Sequence, residues 1–175
     1  MTDQIFFDTD CLSSFLWVGR ENLLVQLFGG QIALPAQVLE ELRKVFQFKS
    51  QIDTLIRNKY VLNCSIEMNT PESDLYMKLT TKPDPGYKII GKGEASAISM
   101  SRFRNGILAS NNLRDILPYI KLFDLKHLTS SIILEQAFNK KKINEGQANA
   151  IWKDMVKRGI YLREATFSEY LVSKT

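Results

Sequence analysis

Histidine and cysteine are scarce in this chain. Its 175 residues hold one histidine, His127, and two cysteines, Cys11 and Cys64. A lone imidazole cannot build a histidine metal cluster, and two thiols this far apart make no metal-ligand spacing. We read both thiols as reduced and packed, and His127 as structural. No apolar run approaches the length of a membrane span, and no basic-then-apolar leader opens the chain. A cytoplasmic protein with no membrane partner is expected. Proline and glycine are dense only in the loop Lys82-Pro83-Asp84-Pro85-Gly86-Tyr87. Internal repeats and low-complexity segments are lacking. What remains is an ordinary globular composition, 45% apolar and 24% charged. The length suits one domain over residues 1–175. The net charge of +4 permits an anionic partner such as nucleic acid without demanding one.

What the chain does have is an apolar run that ends abruptly in acids. Ile5-Phe6-Phe7 reads as a short buried strand, and Asp8, Thr9 and Asp10 fall where it stops. Leu12, Phe15 and Leu16 repeat at three and four, so a helix begins near Cys11. Asp8 or Asp10 would cap it. Glu21–Phe28 reads as a second helix, ended by Gly29-Gly30, and Gln31–Leu34 as a strand. Pro35 opens a helix through Phe46 with the stripe Val38, Leu39, Leu42, Val45, Phe46. At about 100° per residue, Glu40 falls opposite that stripe and Glu41 at its edge. Glu41 therefore points to partly buried ground, where an acid needs a partner or a purpose.

Further on, helices are expected around Ile52–Ile56 and over Pro71–Leu79, with an edge strand over Tyr60–Ile66 between them. Gly91-Lys92-Gly93 leads into a helix from Glu94, which shares a face with Ala97 and Ile98. In that first turn the macrodipole alone would favour an anion. Gly106–Ser110 reads as a second buried strand. Asn112 is a good N-cap, with Asp115 three residues later in a place like that of a capping box. Helices are then expected over Ile116–Leu122, Ser131–Phe138, Asn144–Arg158 and Phe167–Leu171. Strands are expected over Leu125–Leu128 and Ile160–Leu162. This alternation predicts a three-layer α/β/α sandwich with a mainly parallel sheet, whose strand-to-helix junctions share one edge. Asp8 and Asp115 occupy such junctions, and Glu41 and Glu94 turn inward. Carboxylates gathered together repel, and a hard divalent ion relieves that repulsion without histidine or cysteine ligands.

These stretches, in order, are Phe6-Phe7-Asp8-Thr9-Asp10-Cys11-Leu12, Pro35-Ala36-Gln37-Val38-Leu39-Glu40-Glu41-Leu42, Gly93-Glu94-Ala95-Ser96-Ala97-Ile98 and Ala109-Ser110-Asn111-Asn112-Leu113-Arg114-Asp115. Their succession resembles the signatures of PIN-domain ribonucleases, and among those the VapC-like toxins. The likeness is clearest over residues 4–128, with 129–175 as a family-variable extension. The resemblance implies a metal-dependent endoribonuclease using Mg²⁺ or Mn²⁺, the toxin of a toxin–antitoxin pair. By motif, Asp8, Glu41, Glu94 and Asp115 match the four catalytic acids. Asp8, Glu94 and Asp115 would be metal ligands, with Thr9, Ser110 and Asn112 in support. Lys92, Arg114, Lys140, Lys141 and Lys142 could steer an RNA backbone. The expected partners are an RNA substrate, an antitoxin-like protein and a second copy of the chain. Two departures mark this sequence. Asp10 stands where many members have Asn or Ser, and Asn111-Asn112 carry amides where some have an acid. The alternative is a catalytically weakened PIN-like module that binds RNA or protein.

Overall fold

A computed structural model describes residues 3–174. Among these residues five strands form one sheet in the order β3-β2-β1-β4-β5, every neighbouring pair parallel. The strands are β1 (Ile5–Phe7), β2 (Ile32–Pro35), β3 (Val61–Cys64), β4 (Ile107–Ala109) and β5 (Lys126–Leu128). The helices α1 (Thr9–Trp17) and α2 (Glu21–Phe28) lead from β1 to β2. Then α3 (Ala36–Arg43) and α4 (Phe46–Arg57) lead to β3, and α5 (Pro71–Thr81) and α6 (Lys92–Phe103) to β4. The chain continues through α7 (Leu113–Phe123) to β5, and ends in α8 (Ser130–Asn139), α9 (Glu145–Lys157) and α10 (Phe167–Ser173). This is the three-layer α/β/α sandwich expected from the alternation.

The sheet lies between two apolar clusters. Ile5 and Phe7 of β1 belong to one apolar cluster, with Leu12, Phe15, Leu42, Phe48 and Trp152. Phe6 belongs to the other, with Ala97, Ile98, Leu108 and Ile116. Strands covered on both faces must be apolar throughout, and β1 is. β3 is the edge strand of the reading, with Leu62 and Asn63 exposed. Local signals set several helix starts. Thr70 and Ser73 form a reciprocal capping box ahead of Pro71 in α5, and Asn144 and Gln147 form another at α9.

The strand order holds the positional consequence. From β1 the chain steps one way to β2 and β3, then returns to the other side of β1 for β4 and β5. The reversal falls between β1 and β4, and crevices in parallel sheets open at such a switch point, outside the strands' carboxyl ends. Asp8 follows β1 and Ser110 follows β4.

Three expectations differ from the fold. The helix after Pro35 stops at Arg43, because Val45 adopts an extended conformation and α4 begins at once. Phe46, expected on the buried stripe, is therefore carried outward and is 89% exposed. Pro35 itself closes β2 and sits one position before the helix. Ile160–Leu162 is not a strand; Ile160 and Leu162 pack against the core instead. A three-residue apolar run carries too little periodicity to decide that from sequence.

Candidate active site

Asp8 is placed by the sheet and by α1 together. Its backbone N–H donates to Ala109 O at 2.9 Å, carrying the β1–β4 pairing one residue past the strand. Its Oδ1 accepts from the Cys11 N–H at 2.8 Å, which caps α1. Capping uses one oxygen only. The side chain is 0% exposed, and Oδ2 is buried without a hydrogen-bond partner. Burial pushes the Asp8 carboxyl up from 3.8 to about 7. The nearby Ser110 hydroxyl and the Cys11 amide oppose that rise without satisfying Oδ2, while the Asp10 and Glu94 carboxylates add to it. A buried carboxylate with an idle oxygen is costly unless something else binds it.

Glu41 approaches from α3 in the phase its stripe predicts. It is half-buried, while Glu40 is exposed. Its Oε1 accepts from the Gly93 N–H at 3.1 Å, and its Oε2 accepts from the Thr9 hydroxyl. Gly93 admits this approach because it has no side chain. A Cβ there would stand 2.7 Å from Glu41 Oε2 and 2.8 Å from Thr9 Oγ1.

Glu94, in the first turn of α6, accepts from the Gly91 N–H at 3.2 Å through Oε2. Its Oε1 accepts from Asn112 Nδ2 at 2.6 Å. The same Asn112 nitrogen donates to Asp115 Oδ2 at 3.0 Å, so one amide holds two acids. Partial burial raises the Glu94 carboxyl; the Asn112 and Gly91 bonds lower it, and Asp10 and Asp115 raise it again. Asp10 lies at the surface, and its carboxyl is raised by partial burial and then by Glu41. Asp8, Asp10, Glu41, Glu94 and Asp115 thus share one electrostatic neighbourhood.

The two amides do different work. Asn112 stands at the N-cap position of α7, yet its side chain makes no cap bond and turns to the acids. Asn111 faces elsewhere. Its Nδ2 donates to Ser14 Oγ at 3.0 Å and Ser130 Oγ at 2.9 Å, and its Oδ1 accepts from the Ser130 N–H at 2.8 Å. It clasps α1 to α8. Ser110 is fully buried; its Oγ accepts from the Asn112 N–H at 3.3 Å, and its carbonyl lies 2.9 Å from His127 Nε2. His127 packs in this structural place, and burial lowers its pKa against the pull of that carbonyl.

A family model described as PIN domain matches residues 4–174. The chain belongs to the PIN-domain family. Sequence search against curated proteins finds no match. PIN domains are generally nucleases, typically metal-dependent and RNA-binding. The family match runs on through α8, α9 and α10, beyond the four motifs.

Two features bear on what this PIN domain can hold. Among the described residues, no three Asp, Glu, His or Cys side chains stand close enough to grip one ion. The reason is visible in the bonds above: Glu41 is turned to Thr9 and Gly93, and Glu94 to Gly91 and Asn112. The idle Oδ2 of Asp8 is the exception. The donors are all oxygens, the set a hard divalent cation takes.

The second feature is a cleft of about 900 Å³ that opens beside Asp10 and Asn112. The segment 158–164, between α9 and α10, forms part of its wall. Arg114 lines it; Lys92 and the exposed turn Lys140–Lys142 do not. Lys140 instead lies over the Phe28 ring at 6.0 Å. The sequence reading missed Gly93 as a donor and missed the 158–164 wall. The only local sign of that wall was Gly159, which ends α9 with a φ of +81°.

No helix of the described residues is long and apolar enough to cross a membrane.

Proposed function

We propose that this PIN domain is a metal-dependent endoribonuclease hydrolysing RNA phosphodiester bonds. The observation that carries the reading is the fully buried Asp8, with one oxygen idle, at the switch point of the sheet. Asp8, Glu94 and Asp115 would hold Mg²⁺ or Mn²⁺, and Glu41 would act with them as the fourth catalytic acid. When bound, such an ion lowers the pKa of water and offsets phosphate charge. The chain supplies the rest. Thr9 and Gly93 fix the Glu41 carboxylate so that it can orient the attacking water. Asn112 offsets the repulsion between Glu94 and Asp115 by donating to both. Ser110 supports Asp8 from the end of β4. Arg114 and Lys92 would draw the phosphate backbone in, and Lys140–Lys142 would add attraction at longer range. The whole chain would act as one domain in the cytoplasm. The motif succession further supports a VapC-like toxin held by an antitoxin-like partner, and pairing with a second copy of the chain fits that role.

A second reading has its own observations. The amides at 111 and 112, and carboxylates turned to protein donors, would suit a PIN-like module that binds RNA or protein without cutting. One experiment separates the two. Purified protein with Mn²⁺ or Mg²⁺ should cleave single-stranded RNA, EDTA should abolish it, and Asp8→Asn should lower it about a hundredfold or more. RNA binding without cleavage in every metal selects the module.

A further inference from the structure

The cleft beside the acids is walled by two kinds of side chain that rarely gather for packing alone. Tyr161 is 84% exposed and lines it. Arg114 and Arg158 line it too, and among the described residues neither has a carboxylate partner. Single exposed aromatics are ordinary on protein surfaces and need no purpose. Three observations separate Tyr161 from that background.

The first is its mounting. Ile160 and Leu162 on either side pack against the core, so Tyr161 alone turns outward. The Ile160 N–H donates to Met155 O at 3.1 Å, and Trp152 Nε1 donates to Glu164 O at 3.0 Å. Beyond them, Asn149 and Ser168 exchange two hydrogen bonds, at 2.8 and 3.2 Å, that fix α10 to α9. The tyrosine is thus presented on a segment pinned at both ends. The second is the placing of Arg158, whose guanidinium lies 5.5 Å over the Trp17 ring. That contact directs a charge at the cleft without neutralising it. The third is position: the same cleft is lined by Asp10 and Asn112, at the edge of the acid cluster.

A rigid aromatic face flanked by unpaired guanidiniums is the chemistry of single-stranded nucleic acid binding. Bases stack on the ring, and arginines take the phosphates between them. A duplex keeps its bases stacked inside and offers none to Tyr161. Resting on the nuclease reading above, we infer that the cleft seats an unpaired stretch of RNA flanking the cleaved bond. Tyr161 stacks one base, and Arg114 and Arg158 hold its phosphates. Part of RNA recognition by this PIN domain therefore lies in the C-terminal segment rather than in the four acidic motifs.

The test uses the full chain carrying Asp8→Asn, with a fluorescein-labelled oligouridylate read by anisotropy. Tyr161→Ala should weaken binding about tenfold and Tyr161→Phe should not, because the stacking face is kept. Arg158→Gln should weaken binding and flatten its salt dependence. Tyr60→Ala, an exposed tyrosine ahead of the edge strand, should change nothing. A 5-iodouridine in the same RNA should photocrosslink to Tyr161. In the protein with Asp8 intact, Tyr161→Ala should raise KM and leave kcat nearly alone. Wild-type cleavage with unchanged KM in Tyr161→Ala, or a crosslink that maps elsewhere, overturns the inference and leaves the nuclease reading standing. Neither cleavage nor binding of any RNA overturns both. Binding of polyglutamate in place of RNA also overturns the inference and gives the cleft to an acidic polypeptide.

Discussion

The backbone N–H of Gly93 meets Glu41 Oε1 at 3.1 Å, and through that bond α6 is seated against α3. A methyl group at position 93 would enter the space of both Glu41 and Thr9. Gly93→Ala should therefore push Glu41 out of place. We expect a stability loss of about 1–3 kcal/mol from overpacking. Cleavage should fall by about a hundredfold, the scale of a misplaced catalytic group. Thermal melting and single-turnover cleavage together check this; wild-type values in both would refute it.

Neighbouring glutamates should behave differently. Glu40 is exposed and Glu41 is bonded to Thr9 and Gly93. Glu40→Gln should leave metal binding and cleavage nearly unchanged, and Glu41→Gln should weaken both. Titration of each variant with Mn²⁺, followed by calorimetry, distinguishes them. Equal effects would count against an inward role for Glu41.

Asp8 gives a pH dependence with a definite sign. Its carboxyl is pushed from 3.8 up to about 7 in the folded chain. Between those values the folded protein holds a proton that the unfolded chain has released. The unfolded state then binds fewer protons, so metal-free stability falls as pH rises through that window. Asp8→Asn stays neutral and lacks this component. Measured in EDTA, its melting temperature relative to the wild type should climb from pH 4 to about 7 and then level off. A difference that is flat with pH, or a mutant less stable throughout, would make helix capping the main task of Asp8.

Asn112 offers a gain-of-charge test. Asn112→Asp removes the amide that bridges Glu94 and Asp115 and sets a third acid between them. The metal-free variant should melt lower, because like charges this close repel. Added Mn²⁺ should then raise its melting temperature more than it raises the wild type's, by mass action on the folded state. Equal Mn²⁺ shifts in the two proteins would remove Asn112 from the metal's surroundings.

Periodicity makes the central strands and the direction of Glu41 readable in the sequence. Ile5–Phe7 and Ile107–Ala109 are apolar throughout, as doubly covered strands must be, and the phase of Val38, Leu39 and Leu42 sets Glu41 inward. Phe46 was misplaced because a single extended residue, Val45, breaks the helical phase. The separate tasks of Asn111 and Asn112 were not readable either. Which partner an amide takes depends on Ser14, Ser130 and Glu94, brought there by three other helices. The cleft wall around Tyr161 comes from still further along the chain, and Gly159 marks only the end of α9, not the wall that follows it. The four acids could be named from their motifs, but the idle oxygen of Asp8 is a property of burial that only the packed sheet reveals.

The strand order has a consequence for synthesis. The first acid emerges from the ribosome with residue 8, but β1 lies between β2 and β4, and the last acid is Asp115 on the helix after β4. A nascent chain that stops short of β4 has one flank of its central strand bare and no Asn112 to hold Glu94. The acids come together only once most of the polypeptide has been made. A chain cut short before β4 therefore cannot assemble this group of acids.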